Sequence, residues 1–161
     1  MTRIVVLGDT HIRKPEYSLP GKLTEELKTA DQIIHTGDWQ VPEVYDQLRQ
    51  YGEVTGVYGN VDGEDMKELV PEKQHFLKKG WSLGVVHGHG GEKTTEKRAL
   101  EAFEEPPDIL IFGHSHQPLL RYSGKTLLFN PGSLLYRRRA PYCSFGLLRL
   151  GETIEASHVF L

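Results

Sequence analysis

The sequence predicts an α/β fold, and three observations predict it. The first sixty residues alternate short apolar, β-branched runs with segments of helical spacing. The last forty-odd residues carry strand pairs around glycine turns. Several of the apolar runs stop at a glycine that precedes an Asp, Asn or His. Alternating strands and helices imply a parallel sheet with right-handed crossovers.

The elements follow in order. Arg3 to Leu7 reads as a buried strand ending at Gly8. Pro20 to Thr29 opens with proline and spaces Leu23 and Leu27 four apart, so it reads as a helix. Gln32 to His35 is a second strand, Pro42 to Gln50 a second helix, and Val54 to Tyr58 a third strand. Gln74 to Leu77 and Trp81 to Val86 form a strand pair around Lys79-Gly80. Thr95 to Phe103 is a third helix, stopped by Pro106-Pro107, and Ile109 to Phe112 is another buried strand. Leu119 to Tyr122 and Thr126 to Phe129 flank Ser123-Gly124-Lys125, a hairpin signal. Phe145 to Arg149 and Ile154 to Phe160 flank a turn at Gly151.

Composition narrows the function classes. A chain of 161 residues, 38% hydrophobic and 25% charged, suits one domain with a sizeable core. Lys and Arg total 19 against 22 Asp and Glu, a formal charge of −3, which argues against strong nucleic-acid binding. The one cysteine, Cys143, excludes an internal disulfide framework and a cysteine zinc finger. No apolar stretch approaches the roughly 20 residues of a membrane span, and the run after Met1 is too short for a signal peptide. The expectation is a cytoplasmic, single-domain protein; its oligomeric state is open. The 8 histidines, several beside glycine, stand out.

One unit recurs five times: an apolar strand ends and a metal-competent side chain follows. Gly8 leads into Asp9 and His11, Gly37 into Asp38, and Gly59 into Asn60 and Asp62. Val86 leads into His87 and His89, and Gly113 into His114 and His116. Carboxyl ends of parallel strands share one edge, so side chains distant in sequence converge there. Residues two apart in an extended segment face the same way. Asp9 with His11, and His114 with His116, are therefore each expected to aim a pair of ligands at one place. Carboxylate, imidazole and amide donors without thiolate suit manganese, iron, cobalt, nickel or zinc. The donors are too many for one ion, and two ions about 3.5–4 Å apart form a clamp for in-line phosphoryl displacement.

Gly8-Asp9-Thr10-His11, Gly37-Asp38, Gly59-Asn60-Val61-Asp62, His87-Gly88-His89 and Gly113-His114-Ser115-His116 resemble the five signature blocks of the calcineurin-like metallophosphoesterases. The short length and Asn130-Pro131-Gly132-Ser133 resemble the small bacterial and archaeal phosphodiesterase branch. The resemblance implies a four-layer α/β/β/α sandwich of two mixed sheets flanked by helices. It implies two divalent ions, manganese foremost, with nickel, iron, cobalt or zinc as alternatives. Asp9, His11 and His116 would hold one ion; Asn60, His87 and His114 the other; Asp38 would bridge them. In the family a bridging water or hydroxide attacks phosphorus directly. Many members carry a histidine where this chain has Val61, which cannot donate a proton. That departure favours diesters over monoesters and leaves His89 as a substitute donor.

The supporting residues have two readings each. Asp62 either orients Asn60 or a metal-bound histidine, or caps the following segment. Asn130 and Ser133 either close the pocket from a loop beside the site or simply form a turn. Arg138, within the run Arg137 to Arg139, either steers phosphate or lies on a solvated loop. Trp39 is expected to pack beside the site, His35 to be a hydrogen-bonded core residue, and His75 and His158 to be structural. Gly90-Gly91 suggests a mobile loop over the pocket. The leading expectation is a phosphodiesterase acting on a small diester, with nucleotide-like diesters among the candidates. Its alternatives are a protein-binding scaffold, since a eukaryotic retromer subunit resembles this fold with a degraded metal site, and a nuclease of the same superfamily.

Overall fold

A computed structural model describes residues 1–161. Its elements are β1 (Thr2–Leu7), α1 (Gly21–Leu27), β2 (Gln32–His35), α2 (Glu43–Arg49), β3 (Glu53–Gly56), α3 (Glu64–Leu69), β4 (Lys73–Lys78), β5 (Trp81–Val86), α4 (Thr95–Glu101), β6 (Ile109–Ile111), β7 (Leu119–Ser123), β8 (Thr126–Asn130), β9 (Ser144–Leu150) and β10 (Ile154–Phe160). They form two five-stranded sheets, ordered β10-β9-β1-β2-β3 and β4-β5-β6-β8-β7.

Both sheets are mixed. β1, β2 and β3 run parallel, Val5 opposite Ile33 and Ile33 opposite Val54. The β9–β10 hairpin adds to β1 antiparallel, Ile4 opposite Leu148. In the second sheet β5, β6 and β8 are parallel, with antiparallel β4 and β7 on the two edges. In the tail, β8 pairs in parallel with β6 on one side and antiparallel with β7 on the other.

The period of two along β1 explains the layering. Ile4 and Val6 face the second sheet and pack with Ile34, Leu83, Val85, Ile109 and Phe129. Val5 and Leu7 face outward to Leu23 and Leu27 of α1, Leu48 of α2 and Met66 of α3. On the far side, Ala99 of α4 packs on Leu110, Phe112 and Leu128. The result is helix, sheet, sheet, helix, as the family resemblance implied. The sequence reading contains every element except α3, whose six residues bury a single side chain, Met66. One apolar contact leaves no helical period to detect.

Trp39 is fully buried. It stacks on His35 with ring centroids 3.7 Å apart, and its Nε1 donates to the carbonyl of Val57 at 2.8 Å. It therefore packs under the site and is closed to any ligand. Trp39→Ala is expected to cost about 3–5 kcal/mol, read as a lower urea midpoint at unchanged slope; a midpoint within error of the parent would contradict this packing role.

Candidate metal centre

The C-terminal ends of β1, β2, β3, β5 and β6 are followed by Asp9, Asp38, Asn60, His87 and His114. The loops approach closely because glycines allow it. A Cβ on Gly59 would lie 2.1 Å from Asp38 Oδ1. Gly37 has φ +104°, and a Cβ there would meet His87 Nδ1 at 2.7 Å. Neither position tolerates a side chain without moving a site residue.

Two groups of donors assemble at this edge. Asp9, His11 and His116 each place one ligand atom within 4.8 Å of the others, and so do Asp38, His87 and His114. Asn60 joins the second group, its Oδ1 3.2 Å from both His87 Nε2 and His114 Nδ1. Asp38 lies between the groups, with Oδ2 3.5 Å from His11 Nε2 and 3.1 Å from His87 Nε2.

The expectation that His114 and His116 aim at one place is wrong: they enter different groups. Its premise of an extended segment fails, because His114 and His116 have φ of +71° and +62°. Asp9 and His11 do share a group, but they too are left-handed, both at φ +46°. Five of the nine non-glycine residues with positive φ are these donors, Asp38 included. Left-handed backbone costs about 1–2 kcal/mol per residue, and such strain concentrates where a site demands it.

Backbone carbonyls set the imidazole tautomers. His87 Nδ1 donates to Thr36 O at 2.7 Å and His116 Nδ1 donates to Tyr136 O, which turns each Nε2 towards the carboxylates. Asp9 Oδ1, His11 Nε2 and His116 Nε2 are buried and have no hydrogen-bond partner. Three such atoms in one group match the donor set of a divalent cation. His35 accepts from Gly37 N–H through Nδ1, which leaves its Nε2–H for Thr10 Oγ1 at 3.1 Å. It is a core residue that ties two ligand loops together.

Charge follows from burial. Burial pushes the Asp9 carboxyl up to about 7, with His87 opposing and Asp38 adding to the rise. Burial also raises Asp38, but its hydrogen bond to His87 and the charge of His87 outweigh this and bring it down to about 2. Burial lowers His87, yet Asp38 and Asp9 hold it above its ordinary value. A proton on His87 is thus the chain's own counter-charge, which a metal ion would replace. Burial brings His114 and His116 down to about 4, so both are neutral, with lone pairs free, near neutral pH.

The supporting residues resolve as follows. Asp62 hydrogen-bonds neither the Asn60 side chain nor a histidine, and the N-cap of α3 is Gly63, with no side-chain cap. Instead its carboxylate accepts from the backbone N–H of Asp38, Gly59 and Gln40 at 2.8–2.9 Å. Both sequence readings of Asp62 are corrected: it knots the β2 and β3 loops through their main chains. Asn130 donates to Gly113 O and Ser115 Oγ, and Ser133 Oγ donates to Asp9 O at 2.8 Å, so this loop braces the site. Arg138 donates to His114 O at 3.3 Å. His158 Nε2 donates to Asn130 O, and His75 packs edge-on to Phe103, both outside the donor groups. On either side of Gly90-Gly91, Arg98 donates to the carbonyls of Gly88 and Lys93. Sequence reasoning missed Thr36 and Tyr136, whose contributions are carbonyl oxygens and carry no side-chain signal.

Comparison with known proteins agrees with this geometry. Residues 2–153 match the calcineurin-like phosphoesterase superfamily domain, and the chain belongs to that family. A probable metallophosphoesterase of Methanocaldococcus jannaschii is 32% identical over 95% of this chain and 78% of its own. Phosphodiesterase YfcE of Escherichia coli is 28% identical over 90% of this chain and 71% of its own. The crystal structure of Vps29 from Entamoeba histolytica, complexed with zinc, covers 99% of both chains at 23% identity and a TM-score of 0.76, a likeness of fold. No helix of this chain is long and apolar enough to cross a membrane.

Stability without metal is expected to fall in acid. His11, His35, His114 and His116 have pKa values lowered by burial, so the unfolded chain binds their protons more readily. Their stabilisation is complete above about 6.5 and is lost as pH falls below it, for His114 and His116 towards about 4. Asp9, His87 and Asp62 are raised and run the other way. The four imidazoles outnumber them, so the denaturation midpoint in chelator should drop between pH 7 and pH 5; a flat or rising midpoint would contradict the assignment of neutral, buried imidazoles.

Proposed function

We propose that this protein is a phosphodiesterase that works with two divalent cations, manganese first among manganese, nickel, iron, cobalt and zinc. One observation carries the reading: Asp9 Oδ1, His11 Nε2 and His116 Nε2 are buried together without partners, next to a second donor group that reaches them through Asp38. Leaving one such acceptor unsatisfied costs about 1–3 kcal/mol, so a set of three calls for a cation. Asp9, His11 and His116 would hold one ion, Asn60, His87 and His114 the other, and Asp38 both. The phosphodiesterase and metallophosphoesterase names of the relatives support the class. We take it to act as one catalytic domain in the cytoplasm, on a small diester substrate; Cys143 has no second cysteine to pair with.

When bound, the ions supply a hydroxide nucleophile near neutral pH and neutralise the phosphate oxygens. The chain's own residues decide which esters suit. Val61, following the ligand Asn60, is 43% exposed and has no proton to give. The departing oxygen therefore gains no acid there, which favours diesters with good leaving groups. His89 is the remaining donor candidate, its ring 5.5 Å from that of His87 and 6.4 Å from that of His114. Burial and the charge of His87 lower its pKa, so at neutral pH it offers a hydrogen bond from a neutral ring.

The test is hydrolysis of bis-p-nitrophenyl phosphate and p-nitrophenyl phosphate by metal-stripped protein titrated with manganese, nickel, zinc and magnesium. Metal-dependent cleavage, faster on the diester, is expected. Asp38→Ala should lower kcat by more than the roughly 10–100-fold that loss of an outer partner costs, while His75→Ala keeps the parent rate. Absence of turnover with two ions bound by elemental analysis would overturn the enzyme reading in favour of a scaffold.

A further inference from the structure

Beside the Asp9–His11–His116 group lies a cleft of about 240 Å³, lined by His11, Arg13, His116, Tyr136 and Arg138. We propose that this cleft is a specificity subsite for a nucleotide arm of the substrate, with the base on Tyr136 and a second phosphate of that arm on Arg13 and Arg138. The inference rests on the phosphodiesterase reading and extends it from a reaction to a substrate class.

Four observations carry it. First, the wall is fixed to the donors themselves. Ser133 Oγ donates to Asp9 O and accepts from Tyr136 N–H at 2.9 Å, the Tyr136 carbonyl holds His116, and Arg138 reaches His114 O. The Tyr136 backbone and the Arg138 guanidinium are thus placed by the same bonds that place the ligands. Second, Tyr136 is 50% exposed and stands edge-on to His11, ring centroids 5.8 Å apart at 86°. An exposed aromatic face on an anchored backbone is what a base stacks on.

Third, neither Arg13 nor Arg138 is paired with a carboxylate, although the chain has more acids than bases. Arg137 is committed to Ala140 O at 3.0 Å, so the run Arg137 to Arg139 is not uniform: Arg138 is the member turned to the cleft. Arg138 also has φ +50°, a conformation that arginine seldom adopts and that the loop imposes. Fourth, both guanidiniums present planar donor forks suited to phosphate oxygens. The scissile phosphate belongs between the donor groups, so these arginines fit an additional anion. The cleft's small volume suits one ring and its phosphate rather than a strand.

Three esters with the same leaving group test this: methyl p-nitrophenyl phosphate, thymidine 5′-p-nitrophenyl phosphate, and the latter carrying a 3′-phosphate. With manganese-loaded protein, kcat/KM should rise along that series, the 3′-phosphate adding about tenfold, chiefly through KM, as one charge-assisted contact would. Arg13→Met and Arg138→Met should each shrink the 3′-phosphate preference. Tyr136→Ala should shrink the preference for both nucleosides over the methyl ester about fivefold or more, and Tyr136→Phe should restore it. A parent enzyme without the 3′-phosphate preference, or a preference that survives both arginine substitutions, would overturn the subsite. If no ester is cleaved, the phosphodiesterase reading falls, and calorimetry with thymidine 3′,5′-bisphosphate then decides the subsite alone. Binding weakened by Arg13→Met would support it; no binding, or binding that ignores the substitution, would overturn it.

Discussion

Asp9 and Asp38 are carboxylates buried where the strand ends of two sheets meet, and no lysine or arginine lies within ion-pair distance of either. Their only ionisable partners at that distance are imidazoles, and each also accepts one backbone N–H, Asp9 from His114 and Asp38 from Val61. Buried charge of one sign is costly unless something of the other sign accompanies it. The chain by itself can raise Asp9 towards neutrality and hold a proton on His87. Divalent cations answer the same need more completely, with nitrogen and oxygen donors already converging. The close glycines, left-handed ligand residues and main-chain braces follow from keeping these donors together.

Those braces explain how a strained site stays in place. Asp62 spends its carboxylate on three backbone amides from two loops. His35 joins the loop after β1 to the loop after β2. Asn130 and Ser133 reach from the end of β8 back to the β6 loop and to Asp9. None of these side chains needs to touch an ion. Each removes freedom from a loop that carries a ligand, as the outer partners of metal sites do. The left-handed residues would relax if the loops were free; the rigid inter-sheet core on which the loops are mounted prevents it.

The same construction separates chemistry from selection. The donor groups lie at the junction of the sheets, and the basic, aromatic rim comes from two loops, one after β1 and one before β9. Loops of this kind change with little effect on the core beneath them. The donor set can thus be kept while the residues that line the cleft beside it change.

Much of this was legible in the residues alone. Apolar β-branched runs, glycine turns and helical spacing placed every element but α3, and the five strand-end motifs contained all seven donors, because ligand chemistry needs particular side chains. The sequence by itself therefore determined the order of the elements other than α3 and the side chains that converge as donors. Only the tertiary structure decided that His114 and His116 part company, since their left-handed backbone is imposed by packing between loops and not by local preference. It alone decided that Asp62 holds amides, that Trp39 is closed to solvent, and that Tyr136 orients His116 by its carbonyl. Backbone donors and acceptors are the same at every residue, so a sequence names the side chains of a site but is silent on the main-chain contacts that aim them.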